Sequence, residues 1–251
     1  MSERSDSAAP SGPREVREVA AMTALTVVAG AVDAIGFLTM GQVFTALATG
    51  NLVFLSFALV GEGRVPVVRP AVALIGFVLG AAAASLPAAR LVARGRRWFP
   101  AALAAEAALL ATAGVVALVR HGTGSLAHDS DLPAVSIVGF AMGMRATSTM
   151  RAAVPGMPTL LIQSSLVRLV DDLVAGARVT SEARSARRRL DRVRLAATVG
   201  GMFTGGVLGT LMVPWGTGRA LLAVAAAVLL LAALHALLSR YRPPVSPGAA
   251  G

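Results

Sequence analysis

The chain has 251 residues, of which 55% are hydrophobic and only 14% are charged. A soluble domain carries about 25% charged residues, so this composition excludes soluble enzymes, disordered proteins and coiled coils. The absence of cysteine excludes disulfide scaffolds and thiolate metal sites. We therefore expect an all-α polytopic helix bundle whose main solvent is the lipid bilayer.

The net charge of +10 does not indicate nucleic-acid binding. All 23 basic residues are arginines, and most of them flank apolar runs, which is the pattern of a membrane protein. Aromatic residues make up only 4% of the chain, too few for a platform on which single-stranded bases could stack. The three histidines lie far apart in the sequence, so we expect neither a metal site nor a cofactor.

Six runs have the length and apolarity of full membrane spans, which need about 20 residues. They are Val19–Met40, Ala71–Ala89, Trp98–Val119, Leu132–Met150, Leu195–Val213 and Ala220–Ser239. Residues 1–17 and 241–251 are polar and are predicted to be disordered tails. The transmembrane domain is predicted at 18–240, with halves at 18–120 and 132–240.

Two further apolar segments are interrupted by polar residues. Phe44–Val60 is 17 residues long and contains Thr49-Gly50-Asn51, and Met157–Ala177 carries charged residues on one side. Each is predicted to be a re-entrant element or a short broken helix enclosed by the bundle. In the first of them we expect the helix to break near Gly50.

The arginines favour one topology. If only the six full spans cross, 19 arginines fall on one side of the membrane and 4 on the other. Cytoplasmic flanks carry the excess of positive charge, so we expect both termini in the cytoplasm. Crossing by both interrupted segments would place the Arg184–Arg194 run opposite Arg90–Arg97, which the charge bias disfavours.

The chain contains a weak internal repeat. Thr45–Leu52 aligns without gaps on Thr159–Leu166, and Gly76–Gly80 aligns with Gly205–Gly209. Each half then reads as span, broken element, span, span. An odd number of crossings per half makes the two halves inverted, which is common among secondary transporters.

Several motifs of the first half resemble those of a known family. The motifs are Gly30-Ala-Val-Asp33, Phe44-Thr45 and Thr49-Gly50-Asn51. At these spacings they resemble the signature of the YoaK family, a group of small bacterial multi-pass membrane proteins. The resemblance implies a multi-pass fold in the bacterial inner (plasma) membrane, but no substrate. In the second half such proteins typically have an asparagine where this chain has Ala146.

Asp33 is the most informative residue, because a charge at mid-span costs about 2.5–3.5 kcal/mol on insertion scales. Its side chain should therefore face protein or water. In a functional interpretation it binds a cation, a proton or a substrate amine. In a structural interpretation it accepts hydrogen bonds at a backbone break, or it pairs with Arg145.

The polar residues of the two interrupted segments are the other candidates for binding a substrate or an ion. They are Thr45, Thr49, Gly50 and Asn51 in the first segment and Gln163, Ser164 and Ser165 in the second. An opened helix at this depth would present carbonyls to cations and amides to anions. Alternatively, these residues only form hydrogen bonds between packed helices.

Glu106 and Arg145 are candidate charge partners of this site. Glu106 lies within a run of alanines in its span and either joins a proton path or is held protonated by desolvation. Arg145 lies near a membrane end, where snorkelling to the cytoplasmic surface is the favoured interpretation.

These features predict a small-solute or ion transporter that works by alternating access around Asp33 and the Thr49-Gly50-Asn51 break. The alternative is a non-transporting scaffold, sensor or subunit of a membrane complex. No catalytic motif is present, so we do not expect an enzyme. The glycine-spaced helix faces would pack within the bundle or in a homo-oligomer.

Overall fold

The computed structural model of the chain describes residues 13–61, 67–93, 98–122, 131–152, 167, 170 and 182–240. Within these ranges it consists of seven α-helices and contains no strand, which confirms the all-α class. The helices are α1 (Pro13–Thr39), α2 (Ala48–Val60), α3 (Val68–Ala93), α4 (Trp98–Gly122), α5 (Leu132–Ala152), α6 (Glu182–Met212) and α7 (Thr217–Arg240). The short 3₁₀ turn Val213–Trp215 joins α6 to α7.

Five of these helices, α1, α3, α4, α6 and α7, are long and apolar enough to cross a membrane. The 21 residues of α5 extend about 31 Å, which also matches the hydrocarbon core, but its composition is more polar. Its polar side chains Arg145, Ser148 and Thr149 are buried, between 2% and 8% exposed. The polarity of α5 is therefore directed into the protein, and the chain is a multi-pass membrane bundle.

Short connections and close contacts determine the directions of the helices. Only residues 94–97 separate α3 from α4, and only 213–216 separate α6 from α7, so each pair runs in opposite directions. α4 and α7 are also antiparallel. Gly114 lies against Gly218 near one end of the pair, and the Phe99 ring contacts the His235 ring near the other, with centroids 5.3 Å apart.

α1 and α6 lie parallel along a seam of small residues. The pairs in contact are Thr23 with Gly201, Val27 with Gly205 and Ala31 with Gly209. A Cβ atom added to Gly209 would lie 2.8 Å from the Cα of Ala31. The glycines therefore allow the two backbones to approach closely, as in other membrane helix pairs.

α3 and α5 form a second parallel seam of the same kind. The pairs in contact are Ala73 with Gly139, Gly76 with Ser136, Phe77 with Gly143 and Gly80 with Phe140. The hydroxyl of Thr147 extends this seam by donating a hydrogen bond of 3.2 Å to the Ala81 carbonyl. The glycines that the sequence left open to a homo-oligomer thus pack within the chain.

The two seams make the halves an inverted repeat. α1 of the first half pairs with α6 of the second, and α5 of the second half pairs with α3 of the first. α1 and α5 are equivalent, because each begins its half, and they run in opposite directions. α3 and α6 are also equivalent and also run in opposite directions, so the two halves are inverted. The predicted inverted repeat is therefore present among the described helices.

The contacts also correct the register of the repeat. Gly201 contacts the carbonyl of Thr23, which lies seven residues before Gly30. Gly76 contacts the carbonyl of Ser136, which lies seven residues before Gly143, the equivalent of Gly30. Gly76 and Gly80 thus correspond to Gly201 and Gly205. The sequence alignment with Gly205–Gly209 was wrong by one helical turn, because glycines recur every fourth residue in α6 and match in either register.

Each half of the sequence packs its first helix against helices of the other half. α1 packs against α6 and α7, whereas α5 packs against α3 and α4. We call α1, α6 and α7 one bundle and α3, α4 and α5 the other, because the inverted repeat relates these two groups. The groups are joined by extensive packing of α4 against α7, whereas α6 and α7 barely contact each other directly. α1 and α5 are not packed backbone to backbone along their lengths.

α2 does not add a crossing. α1 and α3 run in opposite directions, so the segment between them starts and ends on the same side of the bundle. With 13 residues, α2 is about 20 Å long, too short for a hydrocarbon core of about 30 Å. The short element predicted in the first half is confirmed, but the helix is interrupted over residues 40–47 and not near Gly50. Its predicted counterpart, Met157–Ala177, lies outside the described residues except for Val167 and Val170.

Candidate functional site

The backbone reverses direction directly after α1. Gly41 and Gln42 both have positive φ, 88° and 62°, a conformation that glycine adopts without strain. A Cβ atom on Gly41 would lie 2.5 Å from the guanidinium carbon of Arg69, which is almost fully buried, at 9% exposed. The arginine at the start of α3 therefore packs over this turn, and the chain returns beside α1.

Asp33 attaches the returning segment, residues 43–47, to α1. Its Oδ1 accepts hydrogen bonds from the backbone N–H groups of Thr45, at 2.7 Å, and Ala46, at 2.6 Å. Its Oδ2 accepts one from the N–H of Leu47 at 3.1 Å, and the Thr45 hydroxyl lies 3.4 Å from Oδ1. Successive amides that converge on one anion form a backbone nest. The carboxylate thus satisfies amides that have no helical partner in a medium without water.

Gly36 allows this contact, because it lies one turn after Asp33 on the same side of α1. A Cβ atom at this position would lie 2.8 Å from the carbonyl oxygen of Val43. Any larger residue would push the returning segment away from the carboxylate. The spacing Asp33-Ala-Ile-Gly36 is therefore explained by backbone packing.

Asn51 binds the same segment from the other side. Its Oδ1 accepts a hydrogen bond from the N–H of Phe44 at 3.0 Å, and its Nδ2 donates to the carbonyl of Phe44. One side-chain amide thus satisfies both backbone groups of a residue in the interrupted stretch. Asn51 is 1% exposed, and this pairing explains why an amide side chain lies there.

The other two residues of the Thr49-Gly50-Asn51 motif have different surroundings. Gly50 lies in the first turn of α2, and a Cβ atom there would lie 2.6 Å from the ring of Phe44. That ring stacks on Phe37, at 5.0 Å, and on Phe54, at 5.8 Å. Thr49 is exposed. Gly50 therefore makes room for an aromatic cluster and does not break the helix.

A second polar centre lies between α1, α4 and α5. Nη2 of Arg145 forms a salt bridge with Oε1 of Glu106, and Nη1 donates a hydrogen bond of 3.0 Å to the carbonyl of Leu25. Both charged residues are essentially inaccessible, at 2% and 1% exposed. Arg145 therefore does not snorkel to the surface, as the sequence had suggested, because it has a buried carboxylate partner.

The structure separates the predicted site residues into these two centres. Asp33 and Thr45 bind each other, and Asn51 contacts the adjacent Phe44. Arg145 pairs with Glu106 and not with Asp33, which lies eight residues beyond Leu25, about 12 Å along α1. Gln163, Ser164 and Ser165 lie outside the described residues.

Comparison with known proteins identifies the group to which these motifs belong. The family model described as "Protein of unknown function (DUF1275)" matches residues 21–235. The chain belongs to this family. Its sequence is also 30% identical, over 158 residues, to the UPF0700 transmembrane protein YoaK of Bacillus subtilis (strain 168). That match covers 61% of this chain and 65% of the relative. No solved structure matches.

Membership of the family confirms the resemblance that the first-half motifs indicated. In this chain the residues of those motifs hold the returning segment in place. They do so through two pairs, Asp33 with Thr45 and Asn51 with Phe44. The sequence did not indicate the N–H groups of Ala46 and Leu47, because backbone donors leave no mark in residue identity. The 12-residue spacing between Asp33 and Thr45 was the available signal.

Proposed function

We propose that the protein transports a small solute or an ion across the bacterial inner membrane by alternating access. The supporting observation is that two inverted halves exchange their first helices, and that a buried Arg145–Glu106 pair in one group of helices bonds across to α1 of the other. Inverted repeats with interrupted helices and polar groups at membrane depth are the common plan of secondary transporters. Ionisable residues within a membrane indicate a substrate or ion pathway by default.

The two polar centres have different roles in this proposal. Asp33 is a positioning residue, since three amides and a hydroxyl occupy its oxygens. It holds the returning segment and α2 against α1. The Arg145–Glu106 pair lies in the α3–α4–α5 bundle and contacts α1 of the other bundle. Relative movement of the two bundles would change the surroundings of this pair.

The orientation follows from the arginine distribution. The starts of α1 and α6 lie at the same end of the bundle, because the two helices are parallel. The arginine-rich stretch at 184–194 belongs to the start of α6. The positive-inside bias places this end, with both chain termini, in the cytoplasm.

The proposal is tested by uptake into proteoliposomes that contain the purified full-length protein. A panel of labelled small solutes and ions is offered with and without an imposed proton gradient. We expect the wild-type chain and Thr49→Ala, an exposed control, to take up at least one solute. Asp33→Asn should reduce this uptake at least tenfold, because the returning segment is no longer held. Gel filtration confirms that each variant is folded.

One observation favours the alternative of a non-transporting scaffold or subunit. The oxygens of Asp33 are occupied by the protein itself, as they would be in a purely structural clamp. In that case the folded wild-type protein takes up no member of the panel. It would instead co-purify from native membranes at a fixed stoichiometry with a second membrane protein.

A further inference from the structure

We propose that Arg145 binds a small monocarboxylate, which replaces Glu106 as the partner of the guanidinium once a proton has neutralised Glu106. This inference rests on the transport function proposed above and names its substrate class. It makes the protein a symporter of one proton with one carboxylate anion.

The guanidinium of Arg145 has an unused donor. Nη1 and Nη2 are bonded to Leu25 and Glu106, whereas the Nε–H is buried without a hydrogen-bond partner among the described residues. Nε and Nη2 form one edge of the guanidinium plane, which binds both oxygens of a carboxylate in a bidentate pair. Glu106 bonds to Nη2 through Oε1 alone and leaves Nε without a partner. A free carboxylate would fit the edge better than the resident one does.

Arg145 lies where a transported solute would have to pass. It belongs to α5 of the α3–α4–α5 bundle, and its Nη1 reaches the Leu25 carbonyl in the α1–α6–α7 bundle. Between α1 and α5 no close backbone packing closes the interface along its length. The long side chain of Arg145 spans this space. A ligand of Arg145 would therefore contact both bundles and respond to their relative movement.

Charge balance determines how an anion can enter. The arginine and the glutamate are both buried, and together they are neutral. An unbalanced buried charge costs several kcal/mol, so an added anion requires that Glu106 lose its charge. Protonation of Glu106 does this and leaves Arg145 with the incoming anion as its only negative partner. One proton therefore accompanies each monocarboxylate.

No other charged group in the described part of the chain takes the place of Glu106. The buried face of α7 is apolar at this level, being formed by Leu221, Val224, Ala225, Val228 and Ala232. The nearest other charged or titratable side chains described on these helices lie about two turns away or more along the helix axes. They are Glu18 and Asp33 on α1, Arg69 on α3, Arg120 on α4, Arg151 on α5 and Arg219 and His235 on α7. Asp33 is fully bonded to its own segment.

The same requirement for charge neutrality favours monocarboxylates over oxyanions that carry two negative charges. Sulfate and doubly charged phosphate would leave the site with a net negative charge even with Glu106 protonated. We therefore expect acetate and benzoate to bind, and sulfate to bind much more weakly.

The test measures ligand binding by the purified full-length protein in detergent, as the rise in its unfolding temperature with ligand concentration. Acetate, benzoate and sulfate are the probes, over a series of pH values. For wild type, the apparent dissociation constant for benzoate should fall as pH falls, by up to tenfold per pH unit, the limit for one linked proton. The variant Glu106→Gln imitates the protonated acid. Its dissociation constant for benzoate at neutral pH should be at least tenfold lower than that of wild type, and it should not depend on pH.

The double variant Glu106→Gln/Arg145→Gln has no unbalanced charge and serves as the folded control. It should bind neither carboxylate. Unchanged benzoate binding by this variant, or no binding by wild type and Glu106→Gln at any pH, would overturn the proposal. Uptake of another solute that the double variant retains would overturn the carboxylate site and leave the transport function standing. A wild-type protein that binds benzoate but transports nothing retains the site and refutes transport.

Discussion

Oδ2 of Asp33 accepts a hydrogen bond from the backbone N–H of Leu47 at 3.1 Å, so a carboxylate in the last third of α1 lies at the residue that precedes α2. Fourteen residues separate the two in sequence, and the chain between them leaves α1, turns and comes back. This bond and the two to Thr45 and Ala46 are what hold the start of α2 at the depth of Asp33. The stability of the returning segment should therefore depend on this one side chain.

Asp33→Asn should destabilise the returning segment. The amide group has one acceptor oxygen, so its NH₂ must face at least one of the three N–H donors, in either rotamer. We expect a loss of about 1–3 kcal/mol in unfolding free energy, the cost of a buried polar group without a partner. Labelling of a cysteine at Ala46, in a chain without native cysteine, should become faster in this background. Equal labelling rates with and without Asp33 would show that the carboxylate does not hold the segment.

Two neighbouring glycines of α6 should respond in opposite ways to the same substitution. In Gly205→Ala the new Cβ meets the backbone of Val27, with its carbonyl carbon at 2.8 Å, so α1 and α6 must separate. Such overpacking costs about 1–3 kcal/mol. Gly206→Ala meets nothing within 4 Å and should be neutral or stabilising, by up to about 1 kcal/mol from helix propensity. Thermal unfolding of both variants in one detergent provides the comparison, and an equal loss in both would contradict the α1–α6 seam.

Single cysteines should report the orientation of the bundle. Ser2→Cys and Ser185→Cys should react with an impermeant thiol reagent only from the cytoplasmic face, because they lie before α1 and near the start of the parallel α6. Trp215→Cys, in the exposed turn between α6 and α7, should react only from the opposite face. Labelling of Ser185→Cys from outside intact cells would contradict the proposed topology.

Removing one partner of the Arg145–Glu106 pair should lower the free energy of unfolding strongly, and removing both partners should lower it little. Glu106→Leu alone leaves a buried arginine without its counter-charge, and loss of one partner of such a pair costs about 3–5 kcal/mol. The double variant Glu106→Leu/Arg145→Met carries no buried charge and should recover most of this loss. Chemical unfolding of Glu106→Leu, Arg145→Met and the double variant gives the coupling energy. Additive losses would show that the two side chains do not interact.

Much of this fold could be predicted from composition, because helices in lipid must be long and apolar. All the long helices and the short element of the first half could therefore be predicted from the sequence. Gly50 was mistaken for the break, since glycine and asparagine inside an apolar run normally indicate an opened helix. In the structure, Gly50 and Asn51 support the interrupted stretch at residues 40–47. That stretch contains apolar residues such as Val43 and Ala46, which do not indicate a break in a helix.

The pairing of charged residues was the part that sequence reasoning could not reach. Glu106 and Arg145 lie 39 residues apart, on helices whose faces are both rich in alanine and valine. Nothing in either span indicates which direction its charged side chain takes. Their proximity depends on the rotation of α4 and α5 about their axes, which is set by the glycine contacts of α5 with α3 and by the packing of α4 on α7.

The exchange of first helices between the halves has a consequence for biosynthesis. Among the described helices α1 is made before all the others, and its neighbours α6 and α7 are made after all the others. α1 must therefore stay in the bilayer without these partners while α2 to α5 are translated. α3, α4 and α5 are consecutive and can assemble as soon as they emerge. The end of α7 lies close to the start of α1, where His235 and Glu18 interact electrostatically. Assembly thus brings the first and last of the described helices together, and α1 reaches its neighbours only after α3, α4 and α5 have been made.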